Sequence, residues 1–402
     1  MSTMLTYVGL DVHKETIVFA VARDGRDAAR ELVTIRNDWP TLHKRLKQLG
    51  PVESLRVCYE AGPTGYGLHR RLTAEKIACE VVAPSLVPNQ PGRRIKTDRR
   101  DAAKLAHFHR SGDLTPVYVP DEATEALRDL ERARDGAKRA ERAARHQLCK
   151  FLLRHDRRYD GGTSWTRRHL DWIRAQPFAH ESQRLVLLDY LKTVEDCRER
   201  VDRLTDDIGR LVETSVLGPL IKALQAMRGV SLVNATVLAA EVGDYRRFPT
   251  ARHFMSYVGL IPSEHSSGET KRRGGITRAG NSHVRRALIE AAWSYRFVPS
   301  MSVEIRRRNQ GVSLEVRGIA WKAQKRLHDR YARLSHRGLN TNKMITALAR
   351  ELAGFVWAIA RQETLLEPPG APVPTMKDAS QETCSPKNKR SRVIARKKKV
   401  ET

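Results

Sequence analysis

The sequence predicts an α/β domain followed by a chain that is almost wholly helical. Two patterns carry this. Residues 5 to about 115 open with three β-rich runs and then alternate helical and strand-like segments. From about residue 122 onward, apolar residues recur at helical spacing. A length of 402 residues allows two or three domains, each with its own core.

The three opening runs are Tyr7–Asp11, Thr16–Ala22 and Glu31–Ile35, with Asp24-Gly25 as a turn between the second and third. Trp39, Leu42, Leu46 and Leu49 fall on one helical face. Leu55–Tyr59 then reads as a strand, Tyr66–Ile77 as a helix, Glu80–Ala83 as a strand and Asp98–His109 as a helix. Three strands joined by tight turns and followed by alternating helices and strands are the order of a ribonuclease-H-like fold.

In the middle region, Ala126, Leu130, Ala133, Ala137, Ala140, Ala144 and Phe151 step by four and three, with one polar position at Gln147. After a Trp- and Arg-rich connector, Leu187, Tyr190, Val194, Cys197, Val201, Leu204, Ile208 and Leu211 repeat the step. These predict a coiled-coil seam on each of two helices, with a plain helical bundle as the alternative. Beyond about residue 217, Leu224 to Val242 reads as two helices around Gly229-Val230, like hairpins whose turn amides hold a phosphate backbone. Gly259 to Gly280 reads as a basic, glycine-rich loop, and helices are expected at His283–Trp293, Val316–Leu334 and Lys343–Ile359. The expected domains are 1–118, 119–216 and 217–365. Residues 366–402, rich in Pro and then in Lys and Arg, read as a disordered basic tail and an accessory nucleic-acid contact.

Lys and Arg number 73 against 46 Asp and Glu, a formal net charge of +27. Such an excess favours a polyanion, because every phosphate contact releases condensed counterions. Nucleic acid is the first candidate and an anionic membrane surface the second. No apolar run approaches the ~20 residues of a membrane span. Thr6 to Val21 is broken by Asp11, His13, Lys14 and Glu15, so it does not read as a signal peptide. The five cysteines form no CxxC pair, which argues against a zinc ribbon and suits a reducing cytosol.

The chemistry begins with Asp11 and Glu60, each ending an apolar strand. A desolvated carboxylate is costly unless paired or metal-bound. Glu60 precedes Ala-Gly-Pro-Thr-Gly, a turn that brings backbone close to whatever Glu60 holds. If the two strands are neighbours, both acids emerge at one sheet edge. Asp98 and Asp101 sit three apart at a helix start and so share a face. Capping explains either aspartate alone, but not the two strand-end acids before them. Four carboxylates are the ligands of hard cations, Mg²⁺ or Mn²⁺. Two such ions assist phosphodiester transfer at both the attacking and the leaving oxygen. Arg93, Arg94, Lys96, Arg99 and Arg100 adjoin the acids as candidate contacts to the strand being cut.

A second signal is Tyr-Val-Gly-Leu-Ile-Pro at 257–262, then Ser266-Ser267-Gly268, then Lys-Arg-Arg-Gly-Gly-Ile-Thr-Arg-Ala-Gly at 271–280. Alone, Ser-Ser-Gly is a turn. Lys271, Arg272, Arg273 and Arg278 around it supply the cations that let a serine hydroxyl attack phosphorus. His265 and His283 are candidate bases.

With these motifs the chain resembles the DEDD insertion-sequence transposases over residues 5 to about 360. Asp11, Glu60, Asp98 and Asp101 match that family's acidic tetrad, and the Gly-Leu-Ile-Pro, Ser-Gly and Gly-Gly-Ile-Thr-Arg-Ala-Gly segments match its C-terminal signature. The resemblance implies a RuvC-like N-terminal domain, a coiled-coil middle and a C-terminal transposase domain. It also implies RNA-guided recombination, in which a structured noncoding RNA pairs with target and donor double-stranded DNA. Strands are then exchanged through a phosphoserine, with Ser267 as nucleophile and Ser266 as the alternative. The family's dimers pair into tetramers whose site joins one chain's acids to another's serine. The expected location is a prokaryotic cytoplasm, at the nucleoid. Two rivals stand beside this reading: a RuvC-like junction endonuclease, which needs the acids and no serine, and a noncatalytic basic nucleic-acid-binding protein.

Overall fold

The computed structural model describes residues 4–25, 27–88, 97–267 and 270–365. The chain divides into two compact units between Asp121 and Glu122.

The first unit is a five-stranded sheet with helices on both faces. Its strands are β1 (Thr6–Val12), β2 (Thr16–Arg23), β3 (Arg30–Arg36), β4 (Leu55–Glu60) and β5 (Ala78–Val82). They lie in the order β3-β2-β1-β4-β5. The β1–β2 and β2–β3 pairs are antiparallel; β1–β4 and β4–β5 are parallel. Parallel neighbours need a crossover, supplied by α1 (Trp39–Leu49) and α2 (Gly67–Ala74). Helix α1 begins where Asp38 Oδ1 accepts a hydrogen bond from Thr41 N at 2.9 Å, with Pro40 just inside.

Strand alternation sorts the two faces. Val8, Leu10, Phe19, Val57 and Tyr59 face one way and pack with Leu42, Leu46 and Leu72 of the first two helices. The opposite face takes α3 (Asp98–Ser111), whose Ala102 and Ala106 pack on Val18, Ala20 and Ala22, and whose Leu105 packs on Cys58 and Val82. Burial on both faces explains why β2 reads as a nearly unbroken apolar run. The mixed sheet and its order fit the ribonuclease-H-like expectation. Helix α2 is shorter than Tyr66–Ile77, because the chain turns at Lys76 in left-handed backbone (φ 61°) to enter β5.

The second unit begins with two long helices, α4 (Glu122–Arg154) and α6 (Glu181–Thr214), with the short α5 (Arg167–Arg174) between them. They run antiparallel. Leu148, Phe151 and Leu152 near the end of α4 meet Leu187, Leu191 and Val194 near the start of α6. Of the residues expected on the α6 seam, Leu187, Val194, Val201 and Ile208 are buried, Tyr190, Cys197 and Leu204 are half-buried, and Leu211 is 44% exposed. Of the seam expected on α4, Ala137, Ala144 and Phe151 are buried and Leu130 is half-buried, while its other row is corrected. Ala126, Ala133, Ala140 and Gln147 are exposed, and the buried stripe runs through Thr124, Leu127, Glu131, Ala137, Glu141, Ala144 and Leu148. Alanine sits equally well on either helix face, so its periodicity did not report the second buried row. Glu141 holds a core position there because cations of the same helix reach it: Lys138 Nζ lies 2.7 Å from Glu141 Oε2, and Arg145 also pairs with Glu141.

Among the described residues, the rest is a helical bundle with one β-hairpin: α7 (Gly218–Leu224), α8 (Leu232–Val242), α9 (Ala251–Tyr257), β6 (Pro262–Ser267), β7 (Thr270–Ile276), α10 (Ser282–Ala292), α11 (Val303–Arg308), α12 (Leu314–His336) and α13 (Thr341–Leu365). Residues 235–242 of α8 are all buried, as are Leu348, Leu352, Val356 and Ile359 of α13. The Gly259–Gly280 stretch, expected as a loop, contains the antiparallel β6–β7 pair. Its strands are polar and basic, so no apolar alternation announced them. Among the described residues, no helix is long and apolar enough to cross a membrane.

Candidate active site

Asp11 lies near the end of β1 and Glu60 ends β4, the parallel neighbour. The register pairs Leu10 with Tyr59, so Asp11 and Glu60 are the next positions along. Adjacent strands lie about 4.8 Å apart. Both acids alternate to the face covered by α3, since Leu10 and Tyr59 face the other core. The turn after Glu60 is held by Ala61 N donating to Val82 O at 2.8 Å and by the Tyr59 hydroxyl donating to Gly65 O at 3.1 Å.

Helix α3 brings in the aspartates. Asp98 and Asp101 continue toward its N-terminus the stripe that Ala102, Leu105 and Ala106 bury. Contact with the sheet is made at Gly9. A Cβ there would stand 2.4 Å from Ala102 O and 2.4 Å from Ala106 N, so only glycine lets the helix lie this close. From that contact, Asp98 is four residues back along the helix, about 6 Å, and Asp11 two residues on along the strand, about 6.6 Å. The matched offsets set Asp98 beside Asp11. Capping is done by Thr97, whose Oγ1 accepts from Arg100 N at 3.4 Å. The two aspartates are therefore not needed as caps.

Asp11 is the least exposed of the cluster's ion-pairing groups, with a side chain 20% exposed against 61% for Asp98. Burial raises its pKa above the usual carboxylate range; the carboxylates of Asp98 and Asp101 push it the same way, and His13 opposes. His13 Nε2 lies 3.4 Å from Asp11 Oδ2 and 3.5 Å from Asp98 Oδ2. Mutual repulsion among oxygen donors is what a divalent cation relieves, and hard oxygens suit Mg²⁺ or Mn²⁺. The donor set thus fits such an ion. Sequence reasoning missed His13. The available signal was its position two residues past Asp11, at the mouth of the β1–β2 turn.

Ser267 is the last residue of β6, in the second unit. Its backbone is in register with Thr270, and that of Ser266 with Lys271. The hairpin's foot is fastened: a Cβ on Gly280 would fall 1.8 Å from Tyr257 O, and Arg285 Nη1 donates to Ala279 O at 2.8 Å. His283 lies at this foot in the first turn of α10, while Ser267 is five residues up the strand, about 16 Å. Arg99, Arg100, Arg272 and Arg278 are exposed. The side chains of Ser266, Ser267, His265, Lys271 and Arg273, together with Arg93, Arg94, Lys96, Gly268 and the 366–402 tail, lie outside the described residues.

One polar group inside the second unit was also missed. Glu241 of α8, 3% exposed, accepts from Arg132 Nε at 2.7 Å, Arg132 Nη2 at 3.0 Å and Asn281 Nδ2 at 2.7 Å. The Arg and Asn bonds hold its pKa below the usual glutamate value despite burial. Glu131 of α4, 2% exposed, stands beside it and His283, and its carboxyl is pushed up to about 7 by burial and by Glu241. Asn281 is also the cap of α10, accepting from His283 N at 2.9 Å. The network thus ties α4, α8 and the foot of the hairpin together. Polar residues at helical spacing look like solvated faces, which is why it was not legible.

Comparison with known proteins places these features. Residues 8–155 match a DEDD transposase family model, and residues 221–302 match the model described as "Transposase IS116/IS110/IS902 family". A Sinorhizobium fredii protein named as transposase y4qE is 46% identical over 358 residues, covering 89% of this chain and 88% of its own length. The transposase for insertion sequence element IS1533 of Leptospira borgpetersenii is 32% identical over 332 residues, 82% of this chain and 96% of its own. The transposase for insertion sequence element IS1111A of Coxiella burnetii is 24% identical over 330 residues, 80% and 83% of the two chains. The four acids fall inside the first matched segment and the serine hairpin inside the second, and this chain belongs to the IS110 family of DEDD insertion-sequence transposases.

Proposed function

We propose that the protein recombines DNA strands by RNA-guided transposition, with Asp11, Glu60, Asp98 and Asp101 as ligands of Mg²⁺ or Mn²⁺ and Ser267 as nucleophile. The observation that carries the metal half is the grouping of Asp11, Asp98 and His13 under the start of α3, their donor atoms within 4.8 Å of one another, with Glu60 at the neighbouring register position on β4. Divalent ions there supply charge neutralisation and polarise a phosphate oxygen. The residues' part is to fix the oxygens in place and exclude bulk water from one side.

The serine half is supported by the hairpin, which carries Ser267 at the end of β6, with exposed Arg272 on the paired strand in register with His265. The Ser267 Oγ–P bond would form as a phosphodiester P–O bond breaks, with the serine proton passing to a base. The leaving deoxyribose oxygen keeps the bond electrons and takes up a proton. Lys96, Arg99, Arg100, Lys271, Arg272, Arg273 and Arg278 would hold the phosphates. On this reading, residues 1–118 are the metal-dependent domain, 119–216 a coiled-coil arm, 217–365 the serine domain and 366–402 a basic tail. Working assemblies are dimers and tetramers of the chain with a structured guide RNA.

The test is trapping. The protein, Mg²⁺, the element's own RNA and target DNA are incubated and then denatured. A protein–DNA adduct is expected, present in Ser266→Ala and absent in Ser267→Ala. Unimpaired cutting and joining by Ser267→Ala would instead favour the junction-endonuclease reading.

A further inference from the structure

We propose that His13 is a nitrogen ligand of the divalent ion at Asp11 and Asp98, and that it biases the site toward Mn²⁺ over Mg²⁺. The inference rests on the metal reading above and adds a donor outside the four acids.

Three observations lead to it. First, Nε2 of His13 stands almost equally far from two carboxylate oxygens, 3.4 Å from Asp11 Oδ2 and 3.5 Å from Asp98 Oδ2. Both separations exceed the roughly 2.7–2.9 Å of a charge-assisted hydrogen bond. One imidazole nitrogen also has a single in-plane lone pair or proton and serves one partner well. Ligands bound about 2.1 Å from a common small ion stand roughly 3.0–3.4 Å apart, from right-angle to tetrahedral arrangements. The two separations from His13 Nε2 are close to that spacing. One donor atom from each of the three residues lies within 4.8 Å of the others.

Second, the imidazole is carried on a fixed backbone. His13 N donates to Thr16 O at 2.8 Å, and His13 O accepts from Asn37 Nδ2 at 2.6 Å. Asn37 N in turn donates to Glu15 O at 2.9 Å, so β3's exit clamps the β1–β2 turn.

Third, the position leaves the ion open to substrate. His13 is 46% exposed and Asp98 61%, whereas Asp11 is 20% exposed. The buried side of the ion is thus held by Asp11, and the outer side keeps room for a phosphate oxygen. An imidazole donor shifts preference from Mg²⁺ toward later divalent metals, with Mn²⁺ nearest to the oxygen-loving end.

The test is pulsed electron paramagnetic resonance on the full chain loaded with Mn²⁺ alone. Wild type is expected to give the ¹⁴N modulation of a coordinated imidazole, and His13→Gln to bind Mn²⁺ without it. His13→Gln should also weaken Mn²⁺ by about 10-fold or more while changing Mg²⁺ less. Asp11→Asn should remove Mn²⁺ binding itself. Mn²⁺ bound to wild type without ¹⁴N modulation, or with modulation that survives His13→Gln, overturns the role of His13 and leaves the acidic site standing. Failure of wild type to bind Mn²⁺ overturns both.

Discussion

Burial raises the pKa of Asp11, and the neighbouring carboxylates of Asp98 and Asp101 push it the same way. That arrangement is poor for stability and useful for holding a cation. Asp98→Asn or Glu60→Gln should therefore reduce metal-dependent cutting by about 100-fold or more. DNA binding measured by gel shift should be nearly unchanged, since cations dominate affinity. Equal loss of both would point to a structural role. Asp11, Asp98 and Asp101 were legible from the chain because acids at the ends of apolar strands and in a helix's first turn are unusual together. His13 was not, because a lone histidine has no period, and only the β1–β2 turn swings it toward two carboxylates.

Helix α3 is the element that assembles the acids, and Gly9 sets its height above the sheet. Gly9→Ala should force the helix outward, destabilising the first unit by about 1–3 kcal/mol in denaturant titrations. It should weaken Mn²⁺ binding further than its stability loss explains. Leu42→Ala, in the core on the opposite face, should cost about 2–5 kcal/mol with Mn²⁺ affinity retained in the folded fraction. At the junction of α4, α8 and α10, Glu131 behaves differently. Its folded pKa, pushed up to about 7, lies above that of the unfolded chain, so folding favours the protonated form. Its contribution is full below about pH 4.5 and is lost as pH rises through 7. Glu131→Gln should erase that loss, gaining on the order of 2 kcal/mol over wild type at pH 8 relative to pH 5. A parallel pH profile for the two proteins would refute this. Glu241 of the same junction is held by Arg132 and Asn281, which keep its carboxyl below the usual glutamate value, so it does not titrate with Glu131's sign.

For the whole molecule the governing quantity is the charge of +27. DNA binding measured by fluorescence anisotropy should fall steeply with salt, by about 10³–10⁵ between 50 and 200 mM if six to ten phosphates are contacted. Asp11→Asn should leave the slope intact, whereas removal of residues 366–402 should lower it if the basic tail adds contacts. A slope near zero would reject nucleic acid as the main partner. Transposition by relatives that match this chain nearly end to end makes DNA the expected polyanion.

The chain alone determined the strand order's ingredients, the identity of the acids and the basic balance. Those depend on local alternation, composition and residue type, which neighbours in sequence express. It did not determine the second buried row of α4, because alanine is indifferent to burial and Leu127, Glu141 and Leu148 lie one position past Ala126, Ala140 and Gln147. Nor did it reveal the β6–β7 hairpin, whose pairing is a matter of backbone hydrogen bonds between polar strands. The tertiary structure decided the approach of α3 at Gly9 and the aim of His13, since both are distances between segments that the sequence holds far apart.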